Sequence, residues 1–158
     1  MTKTLAALCL ALTTMLAPVV QAQSGTADVT DLAALRTAVK TDKRAFVAAT
    51  LALSDSQAKK FWPVYDAYQR SLDAANRIRA VAIEGLLSRD KPMTDPYAKQ
   101  LAADLVASDE AEVKARRTLY NRVMRALPPT KAARYLQLES KIRAVQNYDL
   151  AAAFPLIK

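Results

Sequence analysis

The chain has no histidine, one cysteine, one tryptophan and two glycines among its 158 residues. Each scarcity excludes something. Without histidine the commonest general base and the commonest zinc ligand are missing. Cys9 lies inside an apolar N-terminal run, so the rest of the chain offers neither an internal disulfide nor a thiol nucleophile. Gly25 and Gly85 are too few and too far apart to build a glycine-rich phosphate loop. No Ser-x-x-Lys or Gly-x-Ser-x-Gly pattern marks an activated serine. The composition points away from an enzyme, leaving only carboxylate pairs or lysine-assisted hydroxyl chemistry. No cofactor and no metal site are expected. The carboxylates are chemically able to hold a hard cation, but nothing groups them as a loop site.

The N-terminus carries a targeting pattern. Lys3 gives a basic start, residues 5–20 are mostly apolar, and Val20-Gln21-Ala22 supplies residues of the size a signal peptidase reads. This predicts a secretory signal peptide over 1–22, cleaved after Ala22, and a periplasmic protein. The run is short for a membrane span of ~20 residues, which disfavours a retained anchor. Cys9 follows Leu8, where lipid attachment wants a small residue. After cleavage no transmembrane anchor is expected. Residues 23–28 read as a loose mature N-terminus, 29–154 as a single helical domain, and 155–158 as a tail.

Alanine is abundant, and apolar residues recur three and four apart without strand-like alternation. Four helices are expected. The first runs from Val29 to Leu51, with Leu32, Leu35, Val39 and Phe46 inward. The second spans Asp55 to Ser88, with Phe61, Tyr65, Tyr68, Leu72, Ala75, Ala82 and Leu86 inward. Arg89 to Thr94 connect it to a third, which carries Leu101, Leu105, Leu119, Val123 and Leu127. A fourth, after Pro128-Pro129, carries Tyr135, Leu138, Ile142 and Val145. The two central helices are long and joined by a short connector, so they read as an antiparallel hairpin with two flanking helices. This predicts an elongated all-α fold with apolar stripes that suit a dimer; a compact monomeric four-helix bundle is the rival.

Ser54-Asp55-Ser56-Gln57 has the spacing of a capping box, in which Ser54 and Gln57 exchange bonds with each other's backbone N–H. Pro63 follows about two turns later and predicts a single helix bent near Lys59–Pro63. A weaker echo of the start, Leu127-Pro128-Pro129-Thr130-Lys131, opens the fourth helix. The L-[ST]-x-x-Q start at Leu53, Ser54 and Gln57, with Leu127 beginning a degenerate second copy, resembles the Spy/CpxP group of periplasmic LTxxQ proteins. Serine stands for the usual threonine, and Pro128 and Lys131 stand where Thr and Gln would be. Phe61-Trp62-Pro63-Val64-Tyr65 and Gln137-Leu138-Glu139 also resemble a group of exported helical proteins of no known activity. The first resemblance implies an ATP-independent chaperone or envelope-stress protein, a cradle-shaped dimer holding unfolded clients on a basic and apolar face. The metal binding of some relatives is not carried over, for want of histidine and cysteine.

Positive charge is concentrated late in the chain. Residues 114–143 hold nine lysines and arginines against Glu139 alone, in a chain of net charge +8. Part of this suits the dipole of the third helix; the rest offers a surface for an acidic client or an anionic envelope polymer. Nucleic acid is not an expected partner. Candidate client contacts are Phe61, Trp62, Tyr65, Arg117, Arg122 and Arg125, with core packing the alternative for Phe61 and Tyr65. Arg79 and Arg116 fall within apolar stripes. If the hairpin turns near Pro92, Asn76 faces Ser108 and Arg79 reaches Asp109. A structural polar layer of Asn76, Arg79, Asp109, Glu112 and Arg116 is therefore expected, with Glu112 and Arg116 pairing along one helix. Beside the chaperone-like reading stands a dedicated structural or regulatory partner of an envelope sensor domain.

Overall fold

The computed structural model describes residues 30–157. The expected signal peptide over 1–22, its cleavage site and the segment 23–28 expected to follow it lie outside the described residues. Among the described residues there are four helices and no strand. They are α1 (Leu32–Leu51), α2 (Asp55–Leu87), α3 (Asp95–Ala126) and α4 (Pro129–Ala153). The helical periodicity of the sequence is thus realised as an all-α fold.

α2 and α3 have 33 and 32 residues, so at ~1.5 Å per residue each runs for about 50 Å. They pack along one another as the hairpin, α4 lies against α3, and α1 lies against α4. α1 reaches α2 through long side chains: Lys43 bonds Gln69, and Arg44 pairs with Asp66.

The helix starts are chemically distinct. Asp31 caps α1 by accepting from the N–H groups of Ala33 and Ala34 at 2.8 and 3.1 Å. Ser54 caps α2 with the full capping box, its N–H donating to Gln57 Oε1. α3 and α4 use proline in the first turn and have no side-chain cap, since proline has no N–H to leave unsatisfied and its φ is already helical.

One break falls where periodicity does not place it. α2 passes through Pro63 as one helix, so no new cap forms at Trp62. The interruption is in α1 instead. Asp42 takes φ −160° and ψ 94°, and its Oδ1 accepts from the Ala45 N–H at 2.9 Å. Asp42 thereby acts as a second N-cap inside α1, competing with the helix as short acidic side chains do. α1 also starts later than Val29, and Leu32 is more than half exposed rather than inward.

The core answers why the aromatic residues cluster. Phe61 and Tyr135 are fully buried and meet edge to face at 4.8 Å between centroids. Trp62 and Tyr65 extend the cluster, each edge-on to its neighbour. Val47, Val123, Ala132 and Ile142 close it from α1, α3 and α4. Full burial of each large apolar side chain contributes roughly 1.5–3 kcal/mol, so this junction is the anchor that holds α1 and α4 on the hairpin.

Candidate functional site

Two buried ionic clusters organise the interior. The first is built on Glu139 of α4, which is 3% exposed. Lys43 of α1 donates to its Oε1 at 3.0 Å and to Gln69 Oε1 of α2 at 3.1 Å. Three helices are thereby tied at one ammonium. The hydroxyls of Tyr68 and Tyr135 lie beside the carboxylate without reaching hydrogen-bond geometry, and Oε2 has no partner. Burial pushes the Glu139 carboxyl above the usual range, and Lys43 pulls the other way. Burial and then the Glu139 charge push the Tyr65 hydroxyl up to about 12. The same two causes raise Tyr68 and Tyr135. All three phenols are neutral at ordinary pH.

The second cluster is the polar layer of the hairpin. Arg79 of α2 pairs with Asp109 and, at 3.4 Å, with Glu112 of α3. Ser108, fully buried, donates to the Ala75 carbonyl at 2.9 Å, one residue from the expected Asn76. The remaining membership differs from expectation. Asn76 and Arg116 are exposed, and the second cation on Glu112 is Arg143 of α4. Arg116 points instead into a groove of about 340 Å³ between α3 and α4, lined also by Val113, Arg117, Tyr120 and Glu139. Hairpin geometry alone omits Arg143 because the approach of α4 is a tertiary fact.

Two expected client contacts are unavailable. Phe61 and Tyr65 are buried in the aromatic core, as a helix packed on both sides requires. Trp62 is partly buried beneath the Arg44 guanidinium, 4.2 Å from its ring centroid. Arg117, Arg122 and Arg125 are exposed. Periodicity gives no sign of the apolar surface that is accessible. On α2, Ile78 and Val81 are 39% and 65% exposed. They line an open groove of about 590 Å³ with Arg70, Asp73, Ala74, Arg77 and Asp104. The far side of α3 exposes Val106, Val113, Tyr120 and Met124. Their signal in the sequence is the same apolar texture that fills the core, displaced to another face.

Among the described residues no group of three acidic side chains is placed to hold a metal. No described helix is long and apolar enough to cross a membrane. No family model, curated protein or solved structure matches the chain.

Proposed function

We propose that this is a non-catalytic periplasmic binding protein, chaperone-like and independent of ATP, serving the envelope stress response. It holds unfolded or acidic polypeptide segments on the open side of the hairpin. The observation that carries this reading is the groove that Ile78 and Val81 line together with Arg70 and Arg77. Apolar side chains scattered singly on a surface need no explanation, but here they are grouped in one groove with Arg70 and Arg77, alongside Asp73 and Asp104. Apolar contact holds a client weakly, and the cations speed encounter with acidic ones. Arg122 lies about five helical turns on from Asp104 and so continues the groove side along α3. The LTxxQ-like helix start agrees with this class, although its box is spent on capping α2.

The test is light scattering of several unrelated unfolded proteins with and without stoichiometric protein. Suppressed aggregation of most of them is expected, and its loss in the Ile78→Ser, Val81→Ser double variant with helicity unchanged. Protection of none overturns the general reading and leaves a single dedicated partner, such as a sensor domain.

A further inference from the structure

We infer that the cleft between α2 and the C-terminal part of α4 binds a small amphiphile with one negative charge, of the class of a medium-chain carboxylate. The cleft exists because α4 packs against α3 and α1 while its backbone does not come close to that of α2. It has two compartments. One, of about 280 Å³, is polar and is lined by Asn76, Arg79, Glu112, Arg143, Gln146 and Asn147. The other, of about 300 Å³, is lined by Ile83, Leu105, Leu150, Ala151 and Phe154, with Asp109 beside them. Arg79, Asn147 and Leu150 belong to both, so the two are continuous. Joined, they fall within the ~300–1,000 Å³ of small-molecule sites, which are mostly apolar with a few convergent polar groups.

The polar compartment calls for an anion. The side chains of Arg79 and Arg143 are 12% and 13% exposed, and they meet the two oxygens of the buried Glu112. The desolvated part of the cluster therefore holds one positive charge in excess. Asp109, the other partner of Arg79, is 70% exposed, so water screens its share. A buried charge is stable only with a partner in the same surroundings. Both guanidinium groups make these ion pairs through Nη2. Each has five N–H donors in a planar fork, a shape that a carboxylate matches. The amides of Asn76, Gln146 and Asn147 add donors around the same space. A cation would face two arginines there, and a phosphate dianion would exceed the single charge to be balanced.

The second compartment selects the tail. Ile83, Leu105, Leu150 and Phe154 are each partly buried, and an alkyl chain laid among them removes apolar surface from water on both sides. From Arg143 to Phe154 the helix advances about 16 Å at ~1.5 Å per residue, room for an extended chain of decanoate length. The cleft lies on the side of α2 away from Ile78 and Val81, by close to half a turn at about 100° per residue. It is thus separate from the client groove and does not rest on that reading.

The experiment is isothermal titration calorimetry of the purified protein with decanoate below its micelle-forming concentration, with acetate and with decyltrimethylammonium. Decanoate is expected to bind with one site per chain. Acetate has the head without the tail, and decyltrimethylammonium the same tail with the opposite charge. Each should bind about tenfold or more weakly. Two variants at exposed positions test the place without removing an ion pair. Asn147→Asp sets a carboxylate where the two compartments join, and Ala151→Trp fills the apolar one. Each should weaken decanoate about tenfold or more, with helicity by circular dichroism unchanged. The Ile78→Ser, Val81→Ser double variant should bind decanoate normally. Absence of decanoate binding, equal binding of the cation, or full binding by either cleft variant overturns the site. Loss of binding in the Ile78 and Val81 double variant also overturns it, by placing decanoate in the client groove.

Discussion

Lys131 Nζ lies 3.0 Å from Gln57 Oε1, joining the third residue of α4 to the third residue of α2. The same ammonium donates to the Ala52 carbonyl at 2.7 Å. Gln57 Oε1 already accepts from the Ser54 N–H, so the capping box of α2 is cross-linked to the start of α4. In the sequence Lys131 looks like the decay of a second copy of the box. In the fold it acts on the first copy.

Replacement of Lys131 by methionine keeps the stem and removes three donors. It should cost about 1–2 kcal/mol, at the lower end for charged hydrogen bonds because Lys131 is partly exposed. Lys131→Gln should not rescue this, since the shorter amide cannot span to Ala52. Urea unfolding checks both, and a double-mutant cycle with Gln57→Ala should show coupling. Additive effects would mean that the two helix starts are independent.

Ala52 ends α1 with φ 43° and ψ 58°, and is the one described non-glycine residue of positive φ. Left-handed backbone costs an L-residue roughly 1–2 kcal/mol, which glycine avoids. The greater freedom of glycine in the unfolded chain returns about 0.4–1 kcal/mol of that. Ala52→Gly should therefore be neutral or stabilising by up to about 1 kcal/mol. Ala74→Gly within α2 should cost about 1 kcal/mol. Thermal melts of the two variants give the comparison, and equal losses would contradict it.

Arg79, Arg143 and Glu112 are each largely buried, with two cations on one carboxylate. Glu112→Ala leaves the Arg143 guanidinium unpaired and Arg79 with Asp109 alone, and should cost about 3 kcal/mol. Arg116→Ala, at an exposed position, should fall within about 0.5 kcal/mol. The pair of measurements separates the observed layer from the one the hairpin register predicts, in which Arg116 and Glu112 are partners. A large loss on removing Arg116 would restore that earlier pairing.

What could be read in advance follows from how local each cause is. The capping box, the proline starts and the buried faces of α2 and α4 are set by residues within two turns, so spacing finds them. Arg79 with Asp109 needed only the hairpin register, which the short connector fixes. Arg143 on Glu112, Lys43 on Glu139 and Lys131 on Gln57 each require knowing where a flanking helix lies. Spacing within one helix is silent on that. The break at Asp42 was legible in principle, because aspartate three residues before a free N–H is a capping signal. It was hidden because the apolar pattern continues across it through Phe46 and Leu51. Pro63, by contrast, lies inside one continuous helix, as its surroundings predict. Its missing N–H frees only the Lys59 carbonyl, and Lys59 is on an exposed face where water can accept the loss.

Glu139 should give the protein an unusual dependence on pH. Its folded carboxyl is pushed up by burial, against Lys43 from α1 and the more distant Arg116 from α3. Tyr68 and Gln69 of α2 and Tyr135 of α4 surround it without satisfying Oε2. A carboxyl whose folded pKa exceeds its unfolded one binds its proton more tightly in the native state. Its contribution is therefore fully present below the unfolded value, about 4.3 for glutamate, and is lost as pH rises through the folded value. This is opposite in sign to a salt-bridged surface carboxylate. Glu139→Gln keeps an acceptor for Lys43 and cannot ionise, so the variant should gain stability relative to the unaltered protein as pH rises from 4 towards neutrality. Denaturant unfolding of both proteins across that range reads the difference directly. A difference independent of pH, or one that grows on acidification, would show that Lys43 outweighs burial and holds Glu139 charged throughout.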